Sequence, residues 1–498
     1  MDKKEFSPRI GAAYSFDQKT VIRAGFGMFY VPNFVSFGLN PDNDVLSLAT
    51  TPFTATTNAY VTPTSTLDAT DCTQAGTSFA TFHCNTPGPF PNGIILAPGR
   101  NAQPNVSAFV AANGNPTVAP YFNPKYAYVE QYNLDVQRQL PWGLFADVAY
   151  AGSHGVNLAQ YSTNIDQIPD SFVAQAQEQV NAGGPGTIPT IGTLIPNPLS
   201  GSTNAGISAP MIFAGQLDRP YPQYQGLSLA GQGGYGSNYN SLQATVTKRF
   251  QGGGTLLAAY TNAKLISNTD TLTSWLESST GGVGQVQDYN NPKGERSLSS
   301  QDVSQRLVIS YVYDLPFGHG QKYMGDASGV ADKLVSGWGV DGITTFQKGF
   351  PLKFTYANTT PLEGLGLGIS NIRPDVIAGC DKSSPAGGGI ARLGEAFNTA
   401  CFAPPPDYGY GTEARVDPTL RADGINNWDL AIFKRTQFGP DNKLGIEFRT
   451  EFFNTFNRTQ FGFPGTSYNG TPTGNSFGLI TSQLNNPRLI QFGLKFAF

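Results

Sequence analysis

The end of the chain alternates. Ile490, Phe492, Leu494, Phe496 and Phe498 are apolar, while Gln491, Gly493, Lys495 and Ala497 between them are polar or small. Period two marks a strand with different surroundings on its two faces. A soluble sheet packed on a core fits that pattern. So does a transmembrane barrel with lipid outside and a lumen inside.

The pattern recurs in pairs. Residues 8–16 and 20–30 flank DQKT, and residues 126–140 and 143–152 flank Pro141-Trp142. Residues 239–250 and 254–264 flank QGGG, and 425–438 and 442–456 flank GPD. Residues 303–315 and 336–349 flank a longer connector, and 487–498 stands alone. These segments predict eleven strands, as five hairpins and one single. Gly, Asp, Asn and Pro at the tight connections support the hairpins.

The connections between hairpins are long: 31–125, 153–238, 265–302, 350–424 and 457–486. They are rich in Gly, Pro, Asn, Thr and Tyr. Long structureless connections usually argue against an assignment of elements. Here they alternate with the short ones, so an up-and-down sheet places every long connection on one edge. Short turns on one side and long loops on the other mark an outer-membrane barrel. A soluble sandwich does not sort its loops by parity.

The faces agree. Leu444, Ile446, Phe448 and Phe452 share one side of 442–456, with Thr450; Lys443, Glu447, Arg449 and Glu451 share the other. Trp428, Leu430 and Ile432 oppose Asp429 and Arg435. Leu307, Ile309, Tyr311 and Tyr313 oppose Arg306, Ser310 and Asp314. The expected lipid face therefore includes Leu444, Ile446, Phe448, Ile490 and Phe492. The expected lumen face includes Asp429, Arg435, Glu447, Arg449, Glu451 and Lys495. Lys248 and Lys434 fall on the apolar register, close to short turns, where a long side chain can reach the interface.

Composition sharpens this. Charged residues are 13% of the 498, about half the usual share. Aromatics are 12% and glycines number 58. Mean hydropathy is −0.23, and no apolar run approaches the roughly 18 residues of a membrane helix. The net charge of −4, with no basic stretch, argues against a nucleic-acid partner.

Four cysteines form two local pairs, Cys72 with Cys84 and Cys380 with Cys401, both in loop-like stretches. Loop-stapling disulfides would suit an oxidising compartment; the alternative is four free thiols. Their spacing fits no zinc site. His83, His154 and His319 are scattered, and no triad or phosphate loop is present. GQGGYG at 231–236 reads as loop glycine. Glu447 and Glu451 with Arg449 between them read as an ion-pair ladder rather than an acid–base pair. Neither a catalytic site nor a cofactor nor a metal is expected. Tyr221 and Tyr224 in YPQYQG, and Tyr408 and Tyr410 in PDYGYG, are candidates for stacking on an extracellular ligand.

The stretches FSPRIGAAYSF, TVIRAGFGMFY, VEQYNLDVQRQL, YNSLQATVTKRF, YVYDLPFGHG, FNTFNRTQFGFP and PRLIQFGLKFAF resemble the C-terminal half of TonB-dependent receptors. Among these they are most similar to the Oar-like group common in Acidobacteria. The resemblance touches every predicted strand and none of the long loops. It implies an all-β, antiparallel, up-and-down outer-membrane barrel, with residues 1–498 as half of a twenty-two-stranded one. It also implies energy-coupled uptake of a bulky ligand such as a glycan, peptide or chelate. Phe498, Phe496 and Leu494 would be the signal read by the barrel assembly machinery. The signal peptide, the plug and the other half of the barrel are expected outside this sequence, and TonB would be met only through the plug. Eleven strands start and finish in the same direction, which a single closed antiparallel barrel does not allow. Two other functions fit the pattern: a surface adhesion or structural barrel, and a soluble secreted glycan-binding β-protein.

Overall fold

The computed structural model describes residues 6–31, 117–120, 126–200, 207–250, 253–270, 283–438, 444–472 and 476–498. Eleven long strands follow one another in space in chain order. They are β1 Arg9–Ser15, β2 Thr20–Val31, β3 Ala127–Leu140, β4 Leu144–Asn164, β5 Leu227–Arg249 and β6 Gly254–Ser267. After them come β7 Gln305–Asp314, β8 Trp338–Gln347, β9 Ile425–Phe438, β10 Leu444–Phe453 and β11 Leu489–Ala497. Every neighbouring pair among the eleven is antiparallel. β1 and β11 are the two edges of this path.

The register keeps one apolar face across the whole sheet. Ile10 lies opposite Phe26, Val136 opposite Val148, Val246 opposite Ala258, Tyr313 opposite Val340, and Phe452 opposite Ile490. Many of these side chains are exposed, including Leu134, Val148, Leu242, Phe448 and Phe492. A water-facing sheet would leave such a wall uncovered, whereas lipid covers it.

On three strands polar residues bound this wall at the same spacing. On β3, Glu130 and Arg138 bracket Tyr132, Leu134 and Val136. On β5, Asn240 and Lys248 bracket Leu242, Ala244 and Val246. On β9, Asn426 and Lys434 bracket Trp428, Leu430 and Ile432. Each bracket spans eight residues, roughly 26 Å along a strand and roughly 20 Å along the normal once strands tilt. That matches a bacterial outer membrane, which is thinner than average. In register, Phe448 lies opposite Lys434, near the turn-side border rather than mid-wall.

Aromatic rings cover glycines on the neighbouring strand. A methyl group at Gly152 would meet the Tyr132 ring, one at Gly342 the Tyr311 ring, and one at Gly339 the Phe433 ring. Rings fill the bare backbone and hold the register there. The turn after β3 sets Trp142 at φ 64°, with its side chain 84% exposed at the turn-side edge. Such a ring suits the membrane interface.

β4 and β5 exceed their expected lengths. They pair beyond Gly155 up to Asn164 and Ser228, with irregularities around Leu158. GQGGYG therefore lies inside a strand, which corrects its reading as loop glycine. Gly231 and Gly234 take positive φ, which lets the strand bend without breaking.

The long connections are not structureless. A helix, α1 Asp170–Gly183, follows β4. Val173 and Ala176 are buried on its inner face, and Gly184 ends it at φ 80°. Two apolar cores lie within the loops. One gathers Phe354, Phe397, Phe402, Tyr468 and Phe477 from 350–424 and 457–486. The other joins Ile168, Val173 and Ile191 to Leu362, Leu367 and Ile372. Three of the loops thus pack into one ordered cap at the long-loop end.

Candidate functional site

Two surfaces carry the polar chemistry: the inward face of the sheet and the interior of the cap. On the inward face, Arg435 Nε lies 2.9 Å from Glu447 and its Nη1 lies 3.9 Å from Asp314. Lys495 stands opposite Glu447 on the next strand. Arg449 pairs with Glu451 at 2.6 Å and with Asp341 at 2.7 Å. The Phe433 ring lies between the two guanidiniums, 4.4 Å from that of Arg435 and 6.0 Å from that of Arg449. Asp429 accepts from the Asn454 backbone N–H at 2.8 Å and anchors the start of the last loop.

Asp429, Arg435, Glu447, Arg449, Glu451 and Lys495 thus share one face, and Leu444, Ile446, Phe448, Ile490 and Phe492 share the other. Asp341 and Phe433 complete the ladder and were not singled out from sequence. Asp341 sits in GWGVDGITTF, where a lone charge in an apolar strand was the available signal.

The inward face is not uniformly polar. Leu257, Val312 and Ile343 point inward and are 37%, 43% and 51% exposed. Leu257 and Ile343 both flank Ser310 in register, so they form one strip across three strands.

Inside the cap, ion pairs brace single loops and join the 265–302 connection to 350–424. Asp166 and Arg219 meet at 2.7 Å, fully buried. Arg373 binds Glu295 at 2.8 Å, and Arg415 binds Asp270 at 2.5 Å. Arg421 pairs with Asp302, and Lys382 pairs with both Glu413 and Asp417. Arg415 also donates to the Ser267 and Glu295 carbonyls, fixing the cap to the end of β6. Removing one partner of such a pair costs about 3–5 kcal/mol, because the other charge stays buried. The sequence signal for this network was GTEARVDPTLRAD, an alternating run of charges inside a loop.

Burial shifts several cap groups. Glu413 is pushed up to about 7 by burial and by Asp417, against the pull of Lys382. Asp166 is pushed up to about 6 by burial, opposed by Arg219. Burial lowers Lys353 to about 8.

The candidate ligand tyrosines divide. Tyr408 is 8% exposed and belongs to the second apolar core. The Tyr410 hydroxyl donates to Asp170 at 3.1 Å and accepts from Gln167 at 2.8 Å. Burial, Asp288 and Asp170 raise its pKa. Both residues are therefore spent on cap packing, which corrects their reading as free stacking rings. Tyr221 is 40% exposed, and the Tyr224 carbonyl accepts from Gln216 at 2.7 Å. Cys380 and Cys401 are joined by a disulfide within the cap. Cys72 and Cys84 lie outside the described residues. Phe498 is fully exposed beyond the end of β11.

A family model described as an outer membrane beta barrel domain matches residues 1–491. The chain belongs to that family. This places the barrel in the outer membrane and removes the reading as a soluble secreted protein. The barrel is also similar to solved outer-membrane proteins. The outer membrane transporter YddB from Escherichia coli shares 8% identity over 98% of this chain and 40% of its own, with a TM-score of 0.41. FpvA of P. aeruginosa, bound to a heterologous pyoverdine and iron, shares 11% over 100% of this chain and 33% of its own, with a TM-score of 0.36. The ferric citrate transporter FecA in its unliganded form shares 8% over 99% and 38%, with a TM-score of 0.34. The barrel spans 40% or less of each of these three chains. Among curated proteins none matches.

Proposed function

We propose that this chain is the C-terminal barrel half of a TonB-dependent, Oar-like receptor that takes up a bulky extracellular ligand by energy coupling. The observation that carries this reading is the inward strip of Leu257, Val312 and Ile343. Exposed apolar side chains in an otherwise charged lumen suit a domain packed inside the barrel, as a plug would be. The plug, the TonB-contacting segment and the remaining strands would come from beyond this chain. The ordered cap would receive the ligand, with Tyr221 among the residues available on its surface. Among the similar structures are a pyoverdine-bound FpvA and a ferric citrate transporter, and chelates of that size are the first ligands to try.

The test is uptake in intact cells. Labelled chelates, oligosaccharides and peptides would be offered to cells with and without the gene, before and after collapse of the proton-motive force. Gene-dependent uptake that stops on de-energisation while surface binding persists supports the reading. Uptake indifferent to energy contradicts it.

A second reading is a surface adhesion or structural barrel without transport. The buried pairs Asp166–Arg219 and Asp270–Arg415 favour it, since they make a rigid cap. Gene-dependent surface attachment without uptake of any ligand would support this alternative.

A further inference from the structure

A basic cluster sits on the lipid-facing side, just beyond the apolar wall at the long-loop end. In register, His154 lies opposite Asn238, and Asn240 lies opposite Lys264. These residues share the face of Leu242 and Tyr260, so they point toward the bilayer and not the lumen. Arg296, in the connection from β6 to β7, reaches onto the same face. Its Nη2 donates to Asn238 Oδ1 at 2.6 Å. Its neighbour Glu295 turns inward to Arg373. The Tyr150 hydroxyl donates to Asn240 Oδ1 at 2.5 Å, which fixes the second amide. Lys264 and Arg296 are both exposed.

The spacing suits one anion. Facing residues across strands sit about 5 Å apart, and alternate residues on one strand about 7 Å apart. Lys264 beside Asn240 and Arg296 on Asn238 therefore stand on adjacent positions of one face, within the reach of a single phosphate group. Guanidinium and ammonium groups are the side chains that bind phosphate. The carboxylate on this face, Glu130, is held 3.5 Å from His154, on the side away from Lys264. Directly below the cluster lies Leu242, 52% exposed on the wall, where an acyl chain would lie. The long loops mark this end as extracellular, so the facing leaflet is the outer one.

We propose that Lys264 and Arg296, set against Asn240 and Asn238, bind the phosphate headgroup of an outer-leaflet lipid. The lipid would be a phosphorylated glycolipid lying with its chains along the β5–β6 wall. This site faces away from the lumen and from the interior of the cap, and it stands whether or not the barrel transports.

The test uses the protein extracted from outer membranes in mild detergent, with co-purified lipid A measured by mass spectrometry. Wild-type protein should retain lipid A. The double variant K264A/R296A should lose at least fivefold of it, with unchanged heat-modifiable gel mobility. Lys248→Ala, a cation on the same face at the turn-side border, should lose none. The milder pair K264Q/R296Q covers any failure of the alanine variants to fold and should lose a comparable share. Retention of lipid A by the folded double variants would overturn the proposal. So would an equal loss from Lys248→Ala. Inorganic phosphate at matched ionic strength should displace little lipid A. If it strips the lipid fully, a free-phosphate site replaces the lipid site and the proposal falls.

Discussion

Arg449 reaches across an intervening strand to Asp341, with Nη2 2.7 Å from the carboxylate. It crosses β9 beside Ala431, the residue opposite Asp341, which is 4% exposed. A small side chain is what leaves room for the guanidinium. Ala431→Leu should displace Arg449 and cost about 1–3 kcal/mol of stability by overpacking. The unfolding midpoint in urea, followed by tryptophan fluorescence in bilayers, checks this. Ala431→Ser should be close to wild type.

Leu430 lies midway between Asn426 and Lys434 on the apolar face of the sheet, and Glu447 lies on the opposite, charged face. Leu430→Lys should cost about 2–4 kcal/mol, the expense of a lysine at the bilayer midplane. Glu447→Gln removes one partner of the half-exposed Arg435 and should stay within about 1 kcal/mol. Folding titrations of both variants into vesicles separate the two. Equal effects would mean that the faces are misassigned.

The cap should loosen as pH rises. Glu413 has a folded pKa near 7, above its ordinary value of 4.5. Between these values the folded cap binds more protons than the unfolded chain, so this group's contribution to stability falls as pH rises. Asp166, near 6, acts in the same direction. Lys353, lowered to about 8, acts in the opposite direction only above that pH. Amide exchange in the cap should be faster at pH 7.5 than at pH 5, after correction for intrinsic rates. Glu413→Gln, which cannot titrate, should flatten that difference.

Phe498 extends the apolar register of β11 by one position and is fully exposed. If it is the residue read by the assembly machinery, its deletion should lower outer-membrane levels severalfold while leaving synthesis unchanged. Immunoblots of membrane fractions measure this, and normal levels would remove the sorting role.

The strands were legible because period two survives wherever lipid and lumen impose opposite demands. All eleven were placed from Ile10, Leu134, Leu430, Phe492 and their neighbours. The upper parts of β4 and β5 were not, because GQGGYG breaks the pattern with glycines that bend the strand. The cap was also invisible. Its cores draw Phe354, Phe397 and Phe477 from sequence-distant loops, and its charges bury only when paired with residues far along the chain. A loop tyrosine looks the same whether it meets ligand, as Tyr221 could, or core, as Tyr408 does. Helix α1 left a trace in Phe172, Val173, Ala176 and Val180, whose spacing is helical.

The register is the foundation of all these statements, and β10 tests it most directly. Nitroxide labels placed singly from Leu444 to Phe453, in the protein reconstituted into bilayers, report contact with oxygen and with a water-soluble nickel chelate. Positions 444, 446, 448, 450 and 452 should favour oxygen, and 445, 447, 449, 451 and 453 should favour nickel. A profile without period two, or with the two sets exchanged, would contradict the membrane-spanning sheet described here.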